Sequence, residues 1–172
     1  MLFLKRNNIW IISLFLMSFS SCGYRFVGSG SFPAGIKSVC IPILENRTSE
    51  TGVENILTND LIYELTRDKK VSLTSRDQAD ALLSGVIKSM SIETISRTGT
   101  HSSLERRVRV TVDLKLTSPD GRVIWSARGV SANEAYDVMP DKLATEQNRR
   151  NAISVLSKRL AERVYGRITD DF

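Results

Sequence analysis

The sequence predicts an α+β domain, a two-layer α/β sandwich with two helices packed on one face of a mostly antiparallel sheet, in the order β-α-β-β-β-β-α. Three observations carry this. Val108, Val110, Val112, Leu114 and Leu116 alternate strictly with Arg107, Arg109, Thr111, Asp113 and Lys115, as in a strand buried on one face and wet on the other. Two other stretches, around residues 53–67 and 152–166, repeat apolar residues at helical spacing instead. The turn signature Ser118-Pro119-Asp120-Gly121 then joins two alternating runs.

Taken in order, residues 1–21 have the form of a secretory signal. Lys5 and Arg6 precede an apolar run at 9–17, and the small residues Ser18, Ser20 and Ser21 lead up to Cys22. A run of about nine residues at about 1.5 Å each falls far short of a hydrocarbon core of about 30 Å, so cleavage is expected rather than a permanent span. A cysteine directly after small residues resembles the lipobox of bacterial lipoproteins, in which the thiol is diacylated and becomes the new N-terminus. Phe19 stands where those proteins usually have Leu. The other reading is an ordinary secreted protein cleaved near Ser21. Each buried CH₂ of an acyl chain contributes roughly 0.8 kcal/mol, so several chains on Cys22 would anchor the protein stably. Gly23, not Asp, follows the cysteine; by resemblance to sorting in enteric bacteria this favours the outer membrane, on its periplasmic side.

Residues 22–35 are rich in Gly and Ser and suit a tether. A single domain is expected over 36–172. The first strand is predicted at 36–43 with Val39, Ile41 and Ile43 on one face, and Pro42 puts it at an edge or gives it an irregular end. Glu45 to Ser49 reads as a turn. Val53, Ile56, Leu57, Leu61 and Leu65 then mark an amphipathic helix, with Ser49 or Thr51 to cap it and Glu50 and Glu54 to complement its dipole.

A short strand is predicted at 71–74 and a long one from Ala81 through Val86, Met90 and Ile92 towards Ile95. The polar stretch 96–104 caps a hairpin, and 106–117 is its second strand. Val123, Trp125 and Ala127 continue the alternation in a last strand, completing a meander. After a loop around 136–140, Ala152, Val155, Leu156, Leu160 and Val164 give a C-terminal helix ending near Gly166. Both helices should cover the apolar sheet face and leave the other face polar and open.

Composition narrows the chemistry. The formal net charge is +5, and two of those charges, Lys5 and Arg6, leave with the signal, so basicity alone says little about partners. With Cys22 lipidated, Cys40 has no disulfide partner and reads as a small apolar side chain between Val39 and Ile41. His101 is the single histidine and lies in the polar hairpin tip, which is no zinc spacing. There is no nucleophile elbow and no P-loop, and Gly28-Ser29-Gly30 follows no strand. Asp113 and Glu93 form a conceivable carboxylate pair, yet each sits where a solvated charge is normal. No enzyme, metal or cofactor is expected, apart from the covalent lipid on Cys22.

Basic charge does gather on the hairpin, at Lys88, Arg97, Arg106, Arg107, Arg109 and Lys115. Arg107, Arg109 and Lys115 share a face by the period of two, while Arg97 and Arg106 flank the tip. The residues leave two readings open: a solvated face balanced by Asp113 and Glu105, or a surface that meets phosphate groups. Nucleic acid is a poor partner for an exported, lipid-anchored domain.

Several short motifs together resemble the LptE family of lipopolysaccharide-assembly lipoproteins. They are Cys22-Gly23-Tyr24, the Pro-x-Gly-Ile-Lys lead into a strand ending Ile-Pro-Ile, Glu45-Asn46-Arg47-Thr48 before a helix, and Ala79-Asp80-Ala81-Leu82-Leu83-Ser84-Gly85 before the hairpin. The resemblance implies a non-enzymatic protein that plugs the β-barrel partner LptD, helps it assemble and binds lipopolysaccharide in transit. By element order it implies that Arg97 near the hairpin tip, and Lys142 before the last helix, contact lipid, with Arg106, Arg107 and Arg109 as the accompanying basic set. A polar sheet face suits a wet barrel lumen. The competing reading is an outer-membrane lipoprotein that acts as a structural adaptor or secretion-channel component and binds protein rather than lipid.

Overall fold

In a computed structural model that describes residues 32–33, 35–96 and 104–170, three long antiparallel strands carry the architecture. They are β4 (Ala81–Ser96), β5 (Leu104–Thr117) and β6 (Val123–Asp137). Ahead of them come β1 (Ser38–Cys40), β2 (Glu45–Asn46), helix α1 (Val53–Thr66) and β3 (Ser72–Leu73), and after them helix α2 (Lys142–Asp170). The sheet is mixed, in the order β3-β1-β4-β5-β6, with β2 also paired to β4. The three short strands pair parallel and the three long ones antiparallel. Both helices lie on one face, as the α+β reading expects.

The alternation in β5 holds: Val108, Val110, Val112, Leu114 and Leu116 are buried. They join Leu57, Leu61 and Leu65 of α1 and Leu156, Leu160, Val164 and Ile168 of α2 in one apolar cluster. These helix positions recur every four residues, so each helix turns one stripe to the sheet. Burying one such side chain fully contributes about 1.5–3 kcal/mol.

The expected first strand is broken in two. Pro42 has no N–H for the ladder, and the chain leaves the sheet between β1 and β2 before pairing again at Glu45↔Val86 and Asn46↔Ile87. The break reverses the face: Ile43 is 65% exposed while Leu44 is buried. The Leu44 N–H donates to Thr58 Oγ1 of α1 at 3.1 Å, and its side chain lies over Gly85.

The Glu45-Asn46-Arg47-Thr48 turn thus begins as a strand. The Asn46 amide organises the approach to α1, donating to Glu50 O at 2.8 Å and Glu54 Oε2 at 2.7 Å and accepting from the Thr48 N–H at 2.9 Å. Neither Ser49 nor Thr51 caps α1. Gly52 takes that position with φ +91°, and its N–H donates to the Glu54 carboxylate. Ile56, expected on the buried stripe, is exposed.

Three register shifts adjust the long strands. One lies between Ile87 and Ser89 of β4, so Leu83 and Ile87 face the core before it and Met90 after it. Val86 is half-buried. The others lie in β6, one at Ile124, between the pairs Leu116↔Trp125 and Thr117↔Val123, and one opposite Asp113. Beyond that second position β6 continues to Asp137, into the stretch around 136–140 expected to be a loop. Helix α2 likewise starts earlier and ends later than expected. Asp141 caps it by accepting from the N–H groups of Leu143 and Ala144 at 3.2 and 3.0 Å.

Candidate functional site

The face of β5 turned away from the helices carries Arg107, Arg109, Thr111, Asp113 and Lys115. Directly opposed residues in a sheet share a face. Arg109 stands between Ser91 of β4 and Asn133 of β6, Thr111 between Ser89 and Ser131, and Lys115 between Ser84 and Ser126. Arg109 and Lys115 therefore rise among hydroxyl and amide groups, whereas Arg107 stands between Glu93 and Ala135. Arg107, Arg109 and Lys115 make no ion pair with another described residue. Of the two readings left open by sequence, the solvated-face one expected Asp113 and Glu105 to balance them; Asp113 is engaged elsewhere.

Asp113 Oδ1 accepts from the Gly129 N–H at 2.8 Å, and Oδ2 lies 3.8 Å from Lys88 Nζ. Lys88 is the bulge residue of β4, and Gly129, at φ +65°, belongs to the bulge of β6. One carboxylate thus pins both irregularities. Glu93 is paired with Arg107, six residues along β5, about 20 Å away at 3.3–3.4 Å per residue. The conceivable acid–base pair is two separate carboxylates.

Arg106 points the other way. It shares the helix-side face with Val108 and lies between Thr94 and Tyr136. The basic set expected around the hairpin is thus divided between two faces. Lys142 is the exposed first residue of α2 instead of a loop residue. The Val138 N–H donates to Leu104 O at 2.8 Å, which ties the segment before α2 to the start of β5. Lys142 and Arg106 consequently lie towards the same end of the sandwich. Cys22, Arg97 and His101 lie outside the described residues, as do the expected signal and most of the tether.

Sequence periodicity missed the apolar side chains that accompany Lys142 and Arg106. Leu143 is 78% exposed, and Met139 and Leu104 are also exposed. The end of the domain nearest the hairpin tip therefore offers apolar side chains beside cations. The signal was faint: Lys142-Leu143 opens a helix whose first ten residues lack apolar spacing.

The Ala79-to-Gly85 motif has a structural task. Asp80 Oδ2 accepts from the N–H groups of Lys37 and Ser38 at 2.9 Å each and from Ser38 Oγ at 2.8 Å. Those bonds, from Lys37 first and then from Ser38, hold the carboxyl below its ordinary range. Among the described residues no His, Cys, Asp and Glu are grouped to hold a metal ion. No described helix is long and apolar enough to cross a membrane.

One covered sheet face, one open cationic face and an end mixing cations with apolar side chains define a module for association. The family profile of LptE, described as lipopolysaccharide-assembly, matches residues 36–168. The chain belongs to the LptE family, a non-enzymatic family of lipopolysaccharide-assembly lipoproteins.

Solved structures share the fold. A minor lipoprotein from Acinetobacter baumannii is 19% identical over 79% of this chain and 92% of its own, with a TM-score of 0.53. Lipoprotein B from Nitrosomonas europaea is 10% identical over 83% and 86%, with a TM-score of 0.52. A lipoprotein from Caulobacter crescentus is 13% identical over 74% and 88%, with a TM-score of 0.50. At these identities the likeness is one of fold. No curated protein matches the chain in sequence.

Proposed function

We propose that this protein is held to the outer membrane by lipid on Cys22, plugs and helps assemble an LptD-like β-barrel, and binds lipopolysaccharide on its way to the cell surface. The observation that carries the reading is the row of Arg107, Arg109 and Lys115 on the polar sheet face, without ion-pair partners among the described residues. Guanidinium groups without an ion pair to a described residue are suited to bidentate contact with the phosphates of lipid A. A polar face also suits the wet lumen of a large barrel. Arg106 and Lys142, beside Leu104, Met139 and Leu143, offer the cation-plus-apolar surface that an amphiphile with phosphates and acyl chains requires. Arg97 joins this set by its place in the element order.

The deciding experiment is a mild-detergent pull-down of the tagged full chain from its native envelope. A stoichiometric outer-membrane barrel with bound lipopolysaccharide is expected. Recovery of the chain alone, or with periplasmic proteins only, would overturn the reading in favour of a protein-binding adaptor. Arg107→Glu with Arg109→Glu should lower lipopolysaccharide capture about tenfold, the scale of one charge-assisted contact. Cys22→Ala should release the protein from the membrane.

A further inference from the structure

The sheet is stepped along one side. β1 and β2 pair with β4 only as far as Ile87, whose carbonyl accepts from the Arg47 N–H at 3.1 Å, and beyond it no described strand pairs with β4 on that side. The opposite edge, of β6, is closed by α2 over its later half. Asn148 Nδ2 donates to Asp137 O at 3.0 Å, Arg159 Nη1 to Asn133 O at 3.2 Å and Arg163 Nη1 to Ser131 O. No described side chain does this for β4. Between Ser89 and Ser96 its sequence also lacks the Lys and Pro that commonly blunt an edge, and Glu93 is its single charge.

The closure of β6 fixes the backbone parity of β4. The carbonyls of Ser131 and Asn133 point away from β5, so the residues opposite them, Thr111 and Arg109, turn their backbone groups towards β4 and bond to Ser89 and Ser91. Met90, Ile92 and Thr94 therefore turn their N–H and C=O groups outward. Their side chains share the helix face with Val110, Val108 and Arg106, and Ile92 is 44% exposed there.

We propose that a second copy of this chain occupies this edge, pairing antiparallel with β4 about a two-fold axis at Ile92 and joining two sheets into one. This register keeps all three outward residues in the ladder. Ile92 faces the partner's Ile92 and Met90 the partner's Thr94, in hydrogen-bonded pairs that each exchange both bonds. The axis is normal to the sheet, so the exposed Ile92 side chains of the two copies cover one another.

Charge supports the same register. Within each copy Glu93 faces Arg107 and Ser91 faces Arg109. Self-pairing at Ile92 sets Ser91 opposite the partner's Glu93, so each row across the seam reads Arg107, Glu93, Ser91, Arg109, a carboxylate between cations of two copies. Centring on Glu93 would set carboxylate against carboxylate. Helix α1 stays clear of the seam: Glu54 meets Asn46, which is paired with Ile87, and Thr58 meets the Leu44 N–H, so the helix runs away from this stretch. Three ladder pairs make a small interface, and the dimer is accordingly weak and concentration-dependent. It does not depend on lipopolysaccharide binding.

The test uses the full chain in mild detergent over about a hundredfold range of concentration, reading mass by analytical ultracentrifugation together with residue-resolved amide exchange. Monomer should give way to dimer, and the amides of Met90, Ile92 and Thr94 should slow by about tenfold or more as it does. Ile92→Lys sets like charges at the axis and should weaken the dimer about tenfold or more. In a Cys40→Ala chain, Ile92→Cys should form a disulfide between copies on mild oxidation, since facing residues lie about 5.5 Å apart at Cα, and Ser91→Cys should not. The two cysteine variants decide the matter should Ile92→Lys fail to fold. A monomer throughout, amides already slow in dilute protein, a dimer untouched by Ile92→Lys, as shared micelles would give, or equal linking at 91 and 92 would each overturn the proposal. Protection of the three amides only where a barrel co-purifies would also overturn it, and would give the edge to that partner.

Discussion

Arg149 joins the beginnings of the two helices: its Nη1 donates to Glu50 Oε2 at 2.8 Å, although the two residues are 99 apart in sequence. The same guanidinium holds Glu146 one turn back, with Nη2 2.7 Å from Oε1. The hydrogen bonds from Arg149 above all, then from Arg150, bring the Glu146 carboxyl down to about 2. A carboxylate depressed in the folded state contributes stability above its ordinary value of 4.5, and that contribution is lost as pH falls from there towards 2.

Arg149→Met is therefore expected to lower the melting temperature at pH 7 by about 2–4 °C, the scale of an ion-pair network in a domain of this size. Thermal unfolding of both proteins across pH should show the difference shrinking below pH 4. An equal difference at pH 2 would mean that Arg149 acts through packing alone.

Gly85 faces the core where Leu44 crosses over β4. A methyl group there would meet Leu114 Cδ2, Leu44 Cδ2 at 2.9 Å and the backbone oxygen of Asp113 at 3.0 Å. Side chains could shift, but the strand oxygen has little freedom. Gly85→Ala should destabilise by about 1–3 kcal/mol in urea unfolding, as overpacking does, and Leu44→Ala in the same chain should recover part of the loss.

Ser157 is fully buried on α2, and its Oγ has no hydrogen-bond partner in the structure. A buried hydroxyl left unpaired costs about 1–3 kcal/mol. Ser157→Ala is accordingly expected to raise the urea midpoint, by about 1 kcal/mol in stability. A lower midpoint would show that the hydroxyl finds a partner in solution.

The Asp80 carboxylate ties the start of β1 to the start of β4 through Lys37 and Ser38. Its folded value lies below the ordinary 3.8, so this tie is intact above that pH and fails as pH drops below it. Asp80→Ala should speed amide exchange at Lys37 and Ser38 at neutral pH without altering the β5–β6 ladder. Unchanged exchange at those two amides would count against the staple.

Much of the fold was legible because a single physical pattern produced it. The period of two in β5 and the four-residue recurrence in α1 and the later part of α2 are direct consequences of one-sided burial. The misreadings have equally specific causes. Residues 128–137 of β6 span a bulge that shifts the alternation, so a fixed period loses the strand there. The first ten residues of α2 carry no apolar stripe; the Asp141 cap and the Glu146 pairs with Arg149 and Arg150 support them instead. Ile43 and Leu44 exchange places because Pro42 breaks the strand before them.

The candidate site divides in the same way. The cationic row of Arg107, Arg109 and Lys115 followed from strand parity alone. That parity also separated Arg106 from them, although sequence proximity grouped all four. Their lack of carboxylate partners did not follow, because it depends on Asp113 being taken up by Gly129 and Lys88, residues on the two neighbouring strands. The exposed Leu104, Met139 and Leu143 came together only through the Val138 to Leu104 bond. Sequence by itself determined the buried stripe of β5 and the four-residue stripes of the two helices, since burial periodicity is a local property of each element. Only the tertiary structure decided which charges are paired, since pairing depends on neighbours distant in the chain.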